Sequence, residues 1–468
     1  MERRARNGGG GGNRLHRRRC TRRFCIGVEK SEMHEMKIER GMIELDEDEE
    51  GGRWREIRGG VTAPIGFTAA TTFSKLRSSK DRPDLTLVVS DSACSAAGVF
   101  TKNAVCAAPV TYCRRTLGRT SGFGPRAVLV NAGQANAATG ERGWEDAVEC
   151  AKTAAQVVSC SPDEVLLMST GVIGERIPVS LLKQGLSSFD SPDEFGHGQF
   201  AGELSAAAIT TTDLVFKDVA IEVALHGGAV VRIGGMSKGS GMIHPNMATM
   251  LGLITTDAAV APELWQAIIR AAAENSFNQI SVDGDTSTND TVLGLSNGRS
   301  DAPLIDDPNS DNALLLTHAC TAVCQALAKA IAWDGEGATC LIECHVEGAR
   351  TNAEANTCAR SVVSSSLVKS AVFGRDPNWG RIACAAGYSG VEVHQEALCV
   401  VLGEHILMAD GQPLDFDRAA ASAYLRAEGE RHGKVRMKVV IGDGPGYGIA
   451  WGCDLSEDYV KINAYYTT

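Results

Sequence analysis

The sequence predicts a mixed α/β fold. Short apolar runs alternate with helix-period stretches along most of the chain, and 44% of the 468 residues are hydrophobic, enough for a sizeable core. No fixed-period repeat is present. Residues 85–90 and 127–131 are short, apolar and bounded by polar residues or Gly, as buried strands are. Residues 144–158 put Ala147, Val148, Ala151, Ala154, Val157 and Val158 on one helical face. Residues 218–225 alternate Val219, Ile221, Val223 and Leu225, a half-buried strand. Pro262 sits where a first-turn proline belongs and opens a helix to about Glu274. Residues 312–332 read as a long Ala/Leu helix. Further strands are expected at 339–346, 397–408 and 434–441.

Composition narrows the function. The formal net charge of −11 argues against nucleic acid and anionic membrane, because phosphate binding needs basic patches. No uninterrupted apolar run reaches the roughly 18–20 residues of a membrane span. The fifteen cysteines lack metal-ligand spacing: Cys20/Cys25, Cys320/Cys324 and Cys340/Cys344 are not CxxC pairs. They read as reduced, buried thiols, and no metal is expected. Residues 1–25 hold nine arginines, one acid (Glu2) and the glycine run Gly8 to Gly12, with no apolar segment of a secretory signal. That composition fits an organellar transit peptide. The acidic run Glu44, then Asp46 to Glu50, reads as a disordered linker, with the fold starting near residues 54–60.

Two glycine-rich stretches are set aside. Gly442-Asp-Gly-Pro-Gly-Tyr-Gly448 has Tyr447 where a dinucleotide loop needs its third glycine. Lys238-Gly-Ser-Gly241 has neither the glycine spacing nor the Lys-Ser/Thr order of a phosphate loop. Both read as tight backbone turns.

Chemistry concentrates in residues 234–257, which contain Gly234, Gly235, Gly239, Gly241, Pro245 and the pair Ala248-Thr249. Glycines and proline constrain this turn and let backbone approach closely. A hydroxyl residue after a small one, in such a turn, is what an N→O acyl shift requires. The hydroxyl attacks the preceding carbonyl, an ester forms, and water cleaves it. Thr249 then owns both an Oγ nucleophile and a free α-amine, whose pKa near 8 suits a general base. Spacing alone leaves an ordinary loop threonine open.

Residues 238–251 resemble the autocleavage motif of the glutamate N-acetyltransferase (ornithine acetyltransferase) family of arginine biosynthesis. The resemblance extends to Gly59-Gly-Val-Thr-Ala-Pro-Ile-Gly-Phe67, Gly98-Val-Phe-Thr-Lys-Asn103, Ser169-Thr-Gly-Val-Ile-Gly174, Asp334-Gly-Glu-Gly-Ala-Thr339, Phe373-Gly-Arg-Asp-Pro-Asn-Trp-Gly-Arg-Ile382 and Val460-Lys-Ile-Asn-Ala464. These islands run from about residue 58 to the C-terminus.

The resemblance implies layered sheets and helices, and a transfer of acetyl from N2-acetyl-L-ornithine to L-glutamate through an acetyl-Thr249 intermediate. It implies cleavage between Ala248 and Thr249, an oxyanion hole from Thr170 and Gly171, and substrate contacts from Thr212, Lys238, Thr249, Glu336, Asn463 and Thr468. The charges suit the substrates: Lys238 can pair with a carboxylate and Glu336 with an ammonium. The implied organisation is a targeting segment and linker over 1–55, an α chain over 56–248 and a β chain over 249–468, two of each in a heterotetramer. No cofactor is implied, although some family members accept acetyl-CoA as donor. The expected location is an organelle, the chloroplast ahead of the mitochondrion. His244, the only histidine near Thr249, is read as structural support, and Asp376, Trp379 and Arg381 as fold-forming. The chain departs from the family pattern at Ile65, Cys340 and Tyr465. Two other readings are an aminopeptidase or amidohydrolase with the same self-cleaved threonine logic and an uncleaved α/β amino-acid-binding protein.

Overall fold

The computed structural model describes residues 38–46, 53–78, 81–244 and 250–465. Ala248, Thr249, Thr468 and most of the targeting segment therefore lie outside the described residues.

Among the described residues the strands form three sheets. The central one orders Glu39–Arg40, Val215–Ala224, Val230–Lys238, Leu251–Thr256, Thr291–Ser296 and Ser95–Phe100, with Trp54–Ile57 also paired to Val215–Ala224. A four-stranded sheet orders Phe67–Thr72, Leu85–Ser90, Ala127–Gln134 and Val165–Val172. The third sheet orders Ile280–Ser281, Gly444–Cys453, Leu341–Gly348, Lys434–Val440, Cys399–Leu402, His405–Ala409 and Gln412–Pro413.

Side-chain alternation stacks the first two sheets. Leu251 and Leu253 pack in the core shared with the four-stranded sheet, whereas Met250 and Ile254 point the other way. That other face is covered by the helices Pro262–Glu274 and Asp311–Trp333. The four-stranded sheet is in turn covered by Ala108–Thr120 and Gly140–Val157. The order is helix, sheet, sheet, helix, the layered arrangement expected. The third sheet builds its own core with Asn352–Ser364, through Ile342, Val346, Val362, Val439 and Ala450.

Local signals hold where they are strong. Pro262 occupies the first turn of its helix, and Ser310 caps Asp311–Trp333 by accepting from the Ala313 N–H. That second helix has the length and apolarity of a membrane span, yet most of it is buried inside the protein. It is a core helix.

Two expectations need correction. The single strand expected over 397–408 is a hairpin, because Gly403 adopts φ 59° and turns the chain between Cys399–Leu402 and His405–Ala409. Residues 38–46, read as preceding the fold, pack on it. Glu39–Arg40 pairs with Val215–Ala224, and Arg40 Nε donates to Asp218 Oδ1 at 2.9 Å. Asp46 accepts from buried Lys329 at 2.7 Å, and Glu44 accepts from Lys434 at 2.7 Å. Acid count suggested solvation, but these carboxylates meet cations far away in sequence.

A buried ion network joins the layers below the site. Lys217 Nζ donates to Asp213 Oδ1 at 2.7 Å and to Asp334 Oδ2 at 2.6 Å, and all three side chains are excluded from solvent. Burial alone would lower the Lys217 pKa; the two carboxylates outweigh it and hold the ammonium above its ordinary value. Replacing Lys217 with Ala leaves two buried carboxylates uncompensated. Urea unfolding should show a loss of about 3–5 kcal/mol relative to the parent.

Candidate active site

The site lies at one end of the central sheet. Val230–Lys238 and Leu251–Thr256 are antiparallel, and Lys238 stands directly opposite Leu251. The chain between them is therefore a loop that leaves at Lys238 and returns at Met250. Leu251 also pairs in parallel with Thr291, so Asp290 enters its strand beside Met250. The Met250 N–H donates to Asp290 Oδ1 at 3.1 Å.

Each branch of the loop has its own anchor. Gly239 N–H donates to Asp213 Oδ1 at 2.7 Å, tying the outgoing branch to the buried ion network. The Met242 and Ile243 N–H groups donate to the Asp283 carboxylate at 2.6 and 2.9 Å. Met242 has φ 57°, an uncommon conformation for a side chain of that size, and the two bonds to Asp283 hold it there. His244 Nδ1 lies 3.1 Å from Ser281 Oγ, and its carbonyl accepts from Thr286 Oγ1 at 3.0 Å. Those contacts suit loop support. Burial also lowers the His244 pKa, with Arg360 adding to the effect.

Four of the residues assigned to substrate gather around this loop. Lys238 is 3% exposed, with Nζ 3.5 Å from Thr211 Oγ1. Burial pushes its ammonium pKa below the ordinary lysine value against the pull of Asp213 and Asp290. Thr212 Oγ1 lies 2.7 Å from Ser240 Oγ. The Glu336 N–H donates to the Ser240 carbonyl at 2.8 Å, and the Glu336 carboxylate accepts from Asn463 Nδ2 at 2.8 Å. A Cβ on Gly241 would stand 2.4 Å from that carboxylate, so the absence of a side chain there admits Glu336. Thr212, Glu336 and Asn463 are thus linked through Ser240, and buried Lys238 lies two residues before Ser240 with its ammonium against Thr211.

Thr170 and Gly171 lie near the end of Val165–Val172, in register with Ala132 and Gly133. Gly171 has φ 127°, and a Cβ on it would meet the Gly133 carbonyl at 2.1 Å. Only glycine fits this approach. Asn289 connects this turn to the loop: its Nδ2 donates to the Ser169 carbonyl at 2.8 Å and the Ala135 carbonyl at 2.6 Å. Asn289 is followed by Asp290, so consecutive residues reach the Thr170 turn and the peptide that follows Thr249.

Asp213, Asp283, Asn289 and Asp290 were not singled out from sequence. The last three fall in a polar run between buried strands, a place where a polar side chain must find a partner. Of the departures, Cys340 lies in the core of the third sheet, while Ile65 and Tyr465 are exposed. None of these three side chains is drawn into the network around Ser240. Asp376 pairs with Arg418 and Arg381 donates to the Leu367 carbonyl, as fold-forming residues do. Among the described residues no group of His, Cys, Asp or Glu is arranged to hold a metal.

Residues 68–468 match the ArgJ family profile. The chloroplastic arginine biosynthesis bifunctional protein ArgJ of Populus trichocarpa is 55% identical over 420 residues, covering 89% of this chain and 86% of its own. The crystal structure of the arginine biosynthesis bifunctional protein ArgJ from Bacillus halodurans is 43% identical, covering 47% of this chain and all of its own at a TM-score of 0.45. The ornithine acetyltransferase of Mycobacterium tuberculosis, solved in complex with ornithine, is 35% identical, covering 42% of this chain and 99% of its own at a TM-score of 0.36.

The glycine contacts predict a specific pair of outcomes. Gly171→Ala should give little soluble protein, because both partners in the clash are backbone. Gly241→Ala meets a movable side chain instead, so it should fold and show a raised KM for substrate, measured by steady-state kinetics.

Proposed function

We propose a function from one premise: the chain belongs to the ArgJ family. It is an acetyltransferase of arginine biosynthesis that moves acetyl from N2-acetyl-L-ornithine to L-glutamate, giving L-ornithine and N-acetyl-L-glutamate. Self-cleavage between Ala248 and Thr249 produces an α chain, 56–248, and a β chain, 249–468, after a targeting segment and linker over 1–55. Thr249 Oγ attacks the acetyl carbonyl carbon. Thr170 Oγ1 and the Gly171 N–H stabilise the oxyanion. The tetrahedral intermediate collapses, the amide C–N bond breaks, and ornithine leaves with a proton on its amine. The glutamate amine then attacks the acetyl ester and releases Thr249.

One observation carries this reading: Thr212, Glu336 and Asn463 meet through Ser240, two residues after buried Lys238 and ahead of Thr249 in the chain. A buried cation and a nearby acid are what an amino acid's carboxylate and ornithine's side-chain ammonium require. Thr468 completes the substrate contacts. Acetyl passes from amide to ester to amide, so the transfer itself needs neither metal nor cofactor. The active assembly is a heterotetramer of two α and two β chains. An organellar location, the chloroplast, is supported by the Arg-rich start and by the chloroplastic relative.

Denaturing electrophoresis tests the nucleophile. The parent should run as two chains, and Thr249→Ala as one uncut chain with transfer reduced to background. Two chains or retained transfer in that variant would exclude Thr249. Lys238 adds a pH dependence. Its ammonium is lost above a pKa held below the usual 10.5, so KM for N-acetylornithine should rise as pH climbs through that lowered value. Lys238→Arg should remove this alkaline rise, because a guanidinium stays charged.

A further inference from the structure

The helix Glu457–Tyr465 buries none of its residues. Val460, Ile462 and Tyr465 are 63%, 36% and 83% exposed. A surface helix ordinarily takes its rotation about its own axis from an apolar stripe laid on the core. This one has no such stripe, so polar contacts must orient it. Ser456, just ahead of the helix, donates Oγ to the Gly337 carbonyl at 2.6 Å and accepts the Asp458 N–H at 3.2 Å. Asn463 Nδ2 donates to Glu336 Oε2 at 2.8 Å. Between them, the Tyr459 hydroxyl hydrogen-bonds to the Asp283 carboxylate. Gly337 lets the helix come this close: it has φ 71°, and a Cβ on it would stand 2.5 Å from the Tyr459 nitrogen.

Tyr459 and Asn463 are four residues apart, so they share one face of the helix a turn apart. Asn463 Nδ2 also donates to the Tyr459 carbonyl at 3.0 Å. A hydroxyl pinned at Asp283 therefore sets the rotation that brings Asn463 onto Glu336. We propose that Tyr459 is a positioning residue for the substrate group: by donating to Asp283 it fixes the helix that presents Asn463 to Glu336. This rests on the acetyl-transfer reading, in which Glu336 takes ornithine's side-chain ammonium, and deepens it. The Asp283 carboxylate also holds the Met242 and Ile243 N–H groups at 2.6 and 2.9 Å and the Asp285 N–H at 3.2 Å. One acid thus sets both the helix that carries Asn463 and the loop that leaves Lys238. Burial raises the Tyr459 pKa, and the charges of Asp283 and Glu336 raise it further, so the hydroxyl keeps its proton and acts as the donor.

The test uses the full-length chain as Tyr459→Phe, Asn463→Ala and the double variant. Phe keeps the ring and removes only the hydroxyl. Because the helix buries nothing, Tm should stay within about 2 °C of the parent. KM for N-acetylornithine should rise about fivefold in Tyr459→Phe, the effect of one lost hydrogen bond, with kcat within about twofold. Hydrogen exchange over residues 457–465 should quicken in the same variant. Asn463→Ala should raise KM by itself, and adding Tyr459→Phe to it should change nothing more, because the contact that Tyr459 positions is already gone. A Tyr459→Phe variant with the parent's KM overturns the proposal. So do effects of the two substitutions that multiply, and so does a KM change accompanied by a general fall in Tm. A parent that moves no acetyl from N-acetylornithine to glutamate sinks the functional reading itself. A parent that does, beside a Tyr459→Phe variant with unchanged KM, sinks only the role given to Tyr459.

Discussion

The arrangement depends on one buried charge network. Lys217, Asp213 and Asp334 meet where solvent does not reach, and the two carboxylates sit beside the site residues Thr212 and Glu336. Asp213 closes the turn that holds Thr212 and accepts the Gly239 N–H just past Lys238. Asp334 lies two residues before Glu336. Burial would raise the Asp213 pKa, but Lys217 and Lys238 overcome it and keep the carboxylate ionised. A salt bridge of this kind is a weak source of net stability, since desolvation consumes most of its attraction. Its value lies in registry: carboxylates that must share one ammonium fix the 213–217 stretch and the Asp334 turn relative to each other.

Close backbone approach does at the Thr170–Gly171 turn what charge does at the loop. Gly171 meets the Gly133 carbonyl where no side chain fits, and Gly241 leaves room for the Glu336 carboxylate. The Gly171 approach packs backbone on backbone, and backbone moves less than side chains. Donors that are already aimed at a developing negative charge need no reorganisation when it forms, the usual source of the largest catalytic contribution. Asn289, two residues before Thr291–Ser296, extends this rigidity by binding the Ser169 carbonyl of the four-stranded sheet and the Ala135 carbonyl just past it.

Much of this was legible in the sequence where the signal was local. Pro262 opened its helix as expected, and the alternation of Val219, Ile221 and Val223 marked a real strand. The substrate group was legible only through resemblance, because Thr212, Lys238, Glu336 and Asn463 are separated by up to 127 residues per contact. What stayed hidden was set by long-range pairing. Glu44 and Asp46 looked like solvated linker until Lys434 and Lys329 were placed beside them. Asp290 gave no sign of a structural part, because its bond to the Met250 N–H follows from which strand enters beside Met250. The hairpin at Gly403 was missed for a local reason: one glycine with positive φ interrupts an otherwise continuous apolar run.

The central claim is that a threonine freed by self-cleavage carries the acetyl group. Intact mass of the purified protein tests it most directly, before and after addition of N-acetylornithine with no acceptor present. The account predicts two chains, the second beginning at Thr249, and a gain of one acetyl group on that second chain alone. A single uncut chain, or an acetyl group found on the first chain, would contradict it.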